Sequence, residues 1–277
     1  MAMATRLTRI YAVHYNRPDF ISLQKQCLDR WFLTPFEYTV INNARSPDDR
    51  NYITHAANLV NAQVLDTYSD TDFGKAGKHH ADALNQVWNK EITKHNDYAL
   101  ILDGDIFLLD NFNITTLLSK NKPMFGVPQH RGIFNYISPT VVGMDLSNIM
   151  MIEDIDWEGR EIVPNTHLDT GGGLHPWCHA GAVRPLSNTW HIKADNKNLH
   201  TLPDAVMTTY QEGFDVELYD KIWLHYCRSS GWDWPNGDYV RVKSAWLKEF
   251  IDKRLSGEVL LKYTGFNMGV NEYLGWV

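Results

Sequence analysis

The sequence predicts an α/β fold in which a mostly parallel sheet is flanked by helices. Two observations predict it: short apolar runs alternate with amphipathic stretches in the first part of the chain, and polar or acidic residues follow the apolar runs. Alternating strands and helices are typical of a parallel sheet with helices on both faces. In such sheets, ligands bind at the carboxyl ends of the strands.

The first strand is predicted over residues 9–15, an apolar run that ends in polar residues. Pro18 then opens a turn into an amphipathic helix over residues 21–28, because proline is favoured in the first turn of a helix. A second strand is predicted over residues 36–41, which are β-branched or aromatic and stop at Asn42 and Asn43.

A further helix is predicted over residues 81–90, where apolar side chains recur at helical spacing, and an apolar run at residues 98–102 follows it as a strand. The resulting β-α-β-α-β order predicts a Rossmann-like half that binds a nucleotide, over residues 1–110.

Shorter segments with many turn residues follow, as at residues 125–128, 137–145 and 171–173. They predict a looser half over residues 111–277 that shapes a substrate pocket and contains an outer helix at residues 243–255. No repeat or low-complexity linker separates the two halves, so we predict one continuous domain.

Composition excludes several classes of protein. The chain has 26 basic and 33 acidic residues, a net charge of −7, and no Lys/Arg-rich run, which argues against binding nucleic acid through its phosphates. Its three cysteines are widely spaced, which favours a reducing compartment over a disulfide framework or a thiolate zinc site. No apolar run approaches the roughly 20 residues of a membrane span. We therefore expect a cytoplasmic protein.

The sharpest motif is an Asp-Gly-Asp sequence, in which Asp103 and Asp105 come directly after the predicted strand at residues 98–102. Carboxylate oxygens bind Mg²⁺ or Mn²⁺, and such ions usually share their coordination with nucleotide phosphates. The alternative is a pair of turn aspartates that cap the strand. Two acids beside an apolar run are costly unless a cation or hydrogen bonds compensate, which favours the metal site.

Four segments, at residues 13–18, 40–43, 77–85 and 102–105, together resemble the GT-A glycosyltransferases, in particular those similar to glycosyltransferase family 2. The resemblance covers about the first 110 residues and is patchy beyond them. It implies the GT-A fold and a metal-dependent hexosyl- or pentosyltransferase. The donor would be a nucleotide diphosphate sugar, such as a UDP- or GDP-sugar, and the acceptor a hydroxyl of a carbohydrate or another molecule.

The resemblance also implies a metal site. Asp103 would lie near the ribose and the metal, and Asp105 would bind Mn²⁺ or Mg²⁺ directly. Family members often add a late histidine, and His225, which ends an apolar stretch, fits that role. An imidazole with a pKa of about 6.5 is mostly neutral at neutral pH, so it can bind a metal. A core histidine is the alternative.

The nucleotide would lie against the first half of the chain. The resemblance implies contacts from Tyr15, Asn16 and Asn43, although the family usually has an acidic pair where this chain has asparagines. Arg228 is expected to approach the diphosphate.

A basic segment before the helix at residues 81–90 contains Lys75, Lys78 and His80. Backbone N–H groups and the helix dipole favour an anion there, so a phosphate contact from Lys78 and His80 is predicted. The alternative is a solvated basic turn in which His80 caps the helix.

Residues 167–179 form a second dense group of histidine, glycine and acidic residues. Asp169 is predicted to be the general base of an inverting transfer, and Trp177 to stack on the acceptor sugar. Two different roles are possible for the segment: a glycine turn fixed by Asp169, or a metal site, for which the ligands would be His167, His175, Cys178 and His179.

Several acids elsewhere could act as the base instead. They are the cluster at residues 153–158, Asp215 and Asp220, for which a solvated acidic face is the more ordinary explanation. Two further functions are left open by the sequence: a sugar-nucleotide nucleotidyltransferase and a carbohydrate-binding module that uses tryptophans as stacking platforms.

Overall fold

Parallel strands joined by helices build the first half of the structure, a computed structural model that describes residues 6–69, 76–159, 161–163, 166–192, 216–226 and 237–257. The elements of the first half are β1 Thr8–His14, α1 Pro18–Trp31, β2 Phe36–Asn42, α2 Pro47–Leu59, β3 Gln63–Asp66, α3 Ala76–Lys90 and β4 Tyr98–Asp103. The predicted α/β class is confirmed, and α2 and β3 are additions to it.

In its described residues, the second half adds nine strands, which are two to twelve residues long, and two helices. They are β5 Ile106–Leu108, β6 Met124–Arg131, β7 Phe134–Asp145, β8 Glu161–Val163, β9 Thr166–His167, α4 His175–His179, β10 Val183–Pro185, β11 Asn188–Ile192, β12 Val216–Tyr219, β13 Trp223–His225 and α5 Gly237–Ser256. Helix α5 begins before the predicted residue 243.

Within the described residues, the main sheet has seven strands in the order β10-β6-β7-β4-β1-β2-β3. Strand β1 pairs in parallel with both β2 and β4, and β7 runs antiparallel to its neighbours β4 and β6. Val13 near the end of β1 pairs with Ile41 on one side and Asp103 on the other. The carboxyl ends of these three strands are therefore level, and the residues that follow them share one edge.

Two segments predicted as turn-rich lie in the strands β6 and β7. Their pairing shifts between Gly126, which pairs with Val142, and Val127, which pairs with Ser138. Pro139 lies in the resulting bulge, where a residue without a backbone N–H costs no ladder hydrogen bond. Proline and glycine here mark a bulged strand, which sequence alone does not distinguish from a loop.

Helix α2 was not predicted from the sequence. Only two of its residues, Ile53 and Ala57, are buried, so it lacks a clear apolar periodicity. Its start is nevertheless well defined: Ser46 Oγ accepts a hydrogen bond from Asp49 N at 3.0 Å, and Pro47 follows the cap. A capped helix of this kind needs little apolar periodicity to form.

A second, antiparallel sheet has the order β11-β12-β13-β5. The turn between β12 and β13 contains Asp220 and Lys221, both with positive φ, as a tight hairpin requires. Asp220 Oδ1 accepts hydrogen bonds from Ser187 N at 2.8 Å and Ser187 Oγ at 2.6 Å. Asp220 thus has a structural role in the turn, while Asp215 lies outside the described residues.

Apolar clusters cover both faces of the main sheet. Ile10 and Ala12 of β1 face the cluster that contains α1 and α5, while Tyr11 and Val13 face the cluster that contains α3. This alternation is the period of a strand buried on both faces. No helix among the described residues is both long and apolar enough to cross a bilayer.

The edge of the main sheet opposite the level strand ends is held by Asp145, at the end of β7. Its carboxylate accepts hydrogen bonds from Arg6 Nη2 at 2.8 Å, Ser147 Oγ at 2.7 Å and Asn148 Nδ2 at 2.8 Å. Burial by itself would raise the pKa of Asp145, but these donors outweigh burial and hold the pKa below its usual value.

A lowered folded-state pKa contributes stability above the unfolded value of about 3.9, and this contribution is lost as the pH falls through the folded value. Asp145→Asn is expected to lower the free energy of unfolding by about 1–3 kcal/mol near neutral pH. The difference from wild type should shrink below about pH 4. Urea unfolding across this pH range measures it.

The control is Asp29→Asn, which removes an exposed pair with Lys25 one turn away on α1. It should change stability by less than about 0.5 kcal/mol. A wild-type advantage over Asp145→Asn that stays constant into the acid range would contradict the role of the charge.

Candidate functional site

Asp103, Asp105 and His225 meet at the carboxyl end of β4. One ligand atom from each lies within 4.8 Å of the others. Strand pairing explains this convergence: β13 pairs antiparallel with β5, His225 lies opposite Ile106, and Tyr226 N donates to Asp105 O at 2.9 Å. The three residues predicted to be metal ligands are therefore brought together.

The two carboxylates are poorly solvated. The side chains of Asp103 and Asp105 are 23% and 17% exposed. Burial raises the pKa of Asp103, the negative charges of Asp105 and Asp169 raise it further, and His80 and His225 oppose them. A poorly solvated carboxylate beside a second negative charge favours its neutral form, as Asp103 does here.

The donor set fits a divalent cation. Asp103 Oδ1 is buried and accepts no hydrogen bond among the described residues, although His80 Nε2 lies 3.3 Å away. Carboxylate oxygens suit Mg²⁺ and Mn²⁺, and an imidazole nitrogen adds a ligand that first-row transition metals accept. A cation here would offset the cost of placing two poorly solvated carboxylates side by side.

Hydrogen bonds orient the imidazole of His225. Its Nδ1 lies 2.8 Å from Glu217 Oε2 and 3.1 Å from Tyr219 Oη, and Tyr219 Oη also donates to Glu217. With the Nδ1 hydrogen directed at Glu217, the Nε2 lone pair faces the cluster, 3.7 Å from Asp105 Oδ1. A carboxylate on the far nitrogen is the usual support of a histidine that binds a metal.

Glycine is required between the aspartates. A Cβ on Gly104 would lie 2.7 Å from both His14 Nδ1 and Val13 O. His14 is buried, and burial lowers its pKa to about 4. Its ring is therefore neutral at neutral pH, and it packs beneath the turn without adding a positive charge.

The predicted nucleotide contacts lie at the same edge of the sheet, after β1 and β2. Asn43 is buried, its backbone N donates to His14 O at 2.9 Å, and its Oδ1 accepts from Thr67 Oγ1 at 3.3 Å. Asn16 is half-buried, and the ring of Tyr15 stands edge-on to His79 at 5.9 Å. The level strand ends place these residues beside Asp103.

The two described residues of the basic segment that were predicted to bind phosphate, Lys78 and His80, have different surroundings. Lys78 is exposed in the first turn of α3, 3.7 Å from Glu158 Oε1. His80 lies beyond that turn and faces Asp103, so it does not cap the helix. Lys75 and Arg228 lie outside the described residues.

Asp169 lies on the loop before the triple glycine and is half exposed. Its Oδ1 accepts from Thr170 N at 2.9 Å, and its Oδ2 lies 3.7 Å from Arg131 Nη2. Thr170 Oγ1 donates to Gly77 O at 2.7 Å, which ties the loop to the start of α3. Asp169 is close enough for its negative charge to raise the pKa of Asp103.

The glycines of this loop serve close packing. Gly171 has a φ of +89°, and a Cβ there would lie 2.1 Å from Ile137 O, while one on Gly173 would lie 2.1 Å from Asp156 O. Trp177 is buried in the core, and its Nε1 donates to Met150 O at 3.1 Å. The prediction that Trp177 stacks on an acceptor sugar is therefore wrong.

Three more titratable residues near this loop have structural roles. His175 Nδ1 donates to Asn135 O at 2.8 Å, and burial raises the pKa of Cys178 to about 12, which disfavours the thiolate that binds metals. In the acidic cluster, Asp156 Oδ1 accepts from Asn85 Nδ2 at 2.8 Å and from Glu158 N at 2.9 Å. That part of the cluster anchors the loop to α3.

Glu217 was not predicted from the sequence. It lies in one of the acidic segments, but its partner is chosen by the β12–β13 register, in which Glu217 pairs with His225. Acidic residues that alternate with apolar ones, as in this segment, weakly indicate a strand at the edge of a sheet. The pattern does not predict which residue lies opposite each acid on the neighbouring strand.

No protein-family model and no curated protein matches the sequence. Among solved structures, the chain is similar to the mannosyltransferase PcManGT from Pyrobaculum calidifontis in complex with GDP-Man and Mn²⁺. The identity is 12%, over 52% of this chain and 45% of that one, with a TM-score of 0.38.

It is also similar to the galactosyltransferase LgtC in complex with donor and acceptor sugar analogues. There the identity is 15%, over 50% of this chain and 58% of that one, with a TM-score of 0.32. The chain thus spans about half the length of each structure. Both proteins are glycosyltransferases.

Asp105→Ala is expected to weaken Mn²⁺ binding by about 10-fold or more, because a direct ligand is lost. Calorimetric titration of Mn²⁺, alone and with a nucleoside diphosphate, measures the change. The matched control is Asp110→Ala, since Asp110 is half exposed and lies 3.6 Å from Arg254 Nη2, outside the cluster. Equal Mn²⁺ affinity in wild type and Asp105→Ala would remove Asp105 from the site.

Proposed function

We propose that the protein is a metal-dependent glycosyltransferase, which moves a sugar from a nucleotide diphosphate sugar to a hydroxyl of a glycan or another acceptor. The observation that supports it most is the cluster of Asp103, Asp105 and His225 at the carboxyl end of β4. Ligands of an open α/β sheet bind at this end of the strands.

Asp103, Asp105 and His225 would hold Mn²⁺ or Mg²⁺. The bound ion would neutralise charge that develops on the departing diphosphate. Glu217 keeps His225 in the orientation that this role needs, and the glycine between the aspartates lets the turn lie against His14.

The nucleotide would extend from the cluster along the ends of β1 and β2. The amide of Asn43 is fixed by Thr67 and can hydrogen bond to the base or ribose without a charge. Tyr15 and Asn16 would line the same part of the cleft. Lys78, exposed at the start of α3, and Arg228 would contribute positive charge toward the phosphates.

Asp169 would act as the general base. Its half-exposed carboxylate would accept the proton of the acceptor hydroxyl while that oxygen attacks the anomeric carbon. The bond from that carbon to the diphosphate oxygen breaks, and its electron pair leaves with the nucleoside diphosphate. Attack from the face opposite the leaving group inverts the anomeric configuration.

Incubation with UDP- and GDP-sugars, with and without Mn²⁺, tests the proposal. We expect a nucleoside diphosphate to be released only with the metal, faster when an acceptor sugar is added, and not by Asp105→Ala. A nucleotidyltransferase would instead release pyrophosphate in a parallel incubation with UTP or GTP and a sugar 1-phosphate. Sugar binding with no release under any condition would indicate a carbohydrate-binding module.

Asp169→Asn keeps the shape of the loop and removes the basic charge. Transfer should fall by on the order of 10²-fold or more, the usual contribution of a general base, while the donor still binds. Glu153→Gln is the control, because Glu153 is an exposed acid on a neighbouring segment. Normal transfer by Asp169→Asn, or a product in which NMR detects the retained configuration, would exclude Asp169 as the base.

A further inference from the structure

Gln24 lies beneath the turn that carries the two aspartates. It belongs to α1 and is fully buried among apolar neighbours of that helix. Its Nε2 donates to Asp103 O at 3.0 Å and to Ile106 O at 2.7 Å. These carbonyl groups stand at the two ends of the turn from β4 to β5, so a single amide holds both ends.

The orientation of this amide is itself set by buried groups. Tyr38 Oη donates to Gln24 Oε1 at 2.7 Å, which leaves both Nε2 hydrogens for the two carbonyls. Tyr38 Oη also lies 3.3 Å from His14 Nε2. The opposite amide orientation would direct Oε1 at two carbonyl oxygens, so this network allows only one arrangement.

Burying this polar network costs free energy, and the packing of α1 does not require it. Gln24, Tyr38 and His14 are each under 5% exposed, and buried polar groups cost free energy unless they are hydrogen-bonded. An apolar side chain at position 24 would continue the apolar face of α1, on which Ile21 and Leu28 are fully buried. What it could not do is donate to the ends of the Asp103–Ile106 turn.

We propose that Gln24 is a positioning residue for the metal site: its amide sets the separation of the Asp103 and Asp105 carboxylates by bridging the two ends of their turn. The proposal rests on the proposed function, since it needs the cluster to bind a cation. Tyr38 acts one step further away, by holding the amide of Gln24. Neither residue touches the metal, so their effect must pass through the geometry of the turn.

The test is calorimetric titration of Mn²⁺ into wild type, Gln24→Leu and Tyr38→Phe, together with the electron paramagnetic resonance spectrum of bound Mn²⁺. Residues that support metal ligands typically contribute 10–100-fold to affinity, so Gln24→Leu should weaken Mn²⁺ binding by about 10-fold or more. Tyr38→Phe keeps both donors of Gln24 and should give a smaller loss. The spectrum of the remaining Mn²⁺ complex should change in both variants.

Ile21→Val is the matched control, because Ile21 is a fully buried neighbour on α1 whose side chain makes no hydrogen bond. It should lower the thermal midpoint and leave Mn²⁺ affinity unchanged. If Gln24→Leu behaves in the same way, Gln24 is structural only and the proposal is wrong. If Gln24→Leu does not fold, Tyr38→Phe decides: weaker Mn²⁺ binding supports the proposal and unchanged binding overturns it.

Failure of the proposed function has a different result. Wild type would then bind no Mn²⁺ in the titration, with or without a nucleoside diphosphate, and both proposals would fall. Failure of the Gln24 proposal alone would leave wild type and Gln24→Leu binding Mn²⁺ equally.

Discussion

The antiparallel pairing of β5 with β13 is the constraint on which the site depends. It places His225 opposite Ile106, and the hydrogen bond from Tyr226 N to Asp105 O locks this register beside the acidic turn. Because β5 follows β4 directly, the same pairing joins the small antiparallel sheet to the carboxyl end of the main sheet. A shift by one residue would turn the imidazole to the opposite face of its strand.

Several buried or poorly solvated polar groups lie around the short turn from β4 to β5. Two poorly solvated carboxylates stand on it, and Gln24 and the neutral ring of His14 support it from below. Each of these polar groups costs free energy when it is removed from water, and only some of that cost is recovered by hydrogen bonds within the protein. Two poorly solvated carboxylates side by side are unfavourable for folding and favourable for binding a cation.

The second half of the chain supplies residues to the candidate site, and it also packs against the first half. The loop that contains Gly171 lies so close to β7 that a Cβ on this glycine would collide with the backbone oxygen of Ile137. Thr170 ties the same loop to the start of α3. The charge of Asp169 therefore acts on Asp103, although the two residues belong to distant parts of the sequence. Trp177, which anchors the same loop from within the core, has a role in packing.

The sequence by itself determined the α/β class, the strands β1, β2 and β4, the helices α1 and α3, and the position of Asp103 and Asp105 after a strand. These follow from local periodicity and from residues adjacent in the chain. The family resemblance indicated His225 as a candidate metal ligand, but only the register of β5 and β13 brought that residue to Asp105. Glu217 and Gln24 were decided by tertiary structure alone, because their partners lie on other elements. Periodicity tells whether a side chain is buried, whereas strand register and helix packing decide what it contacts.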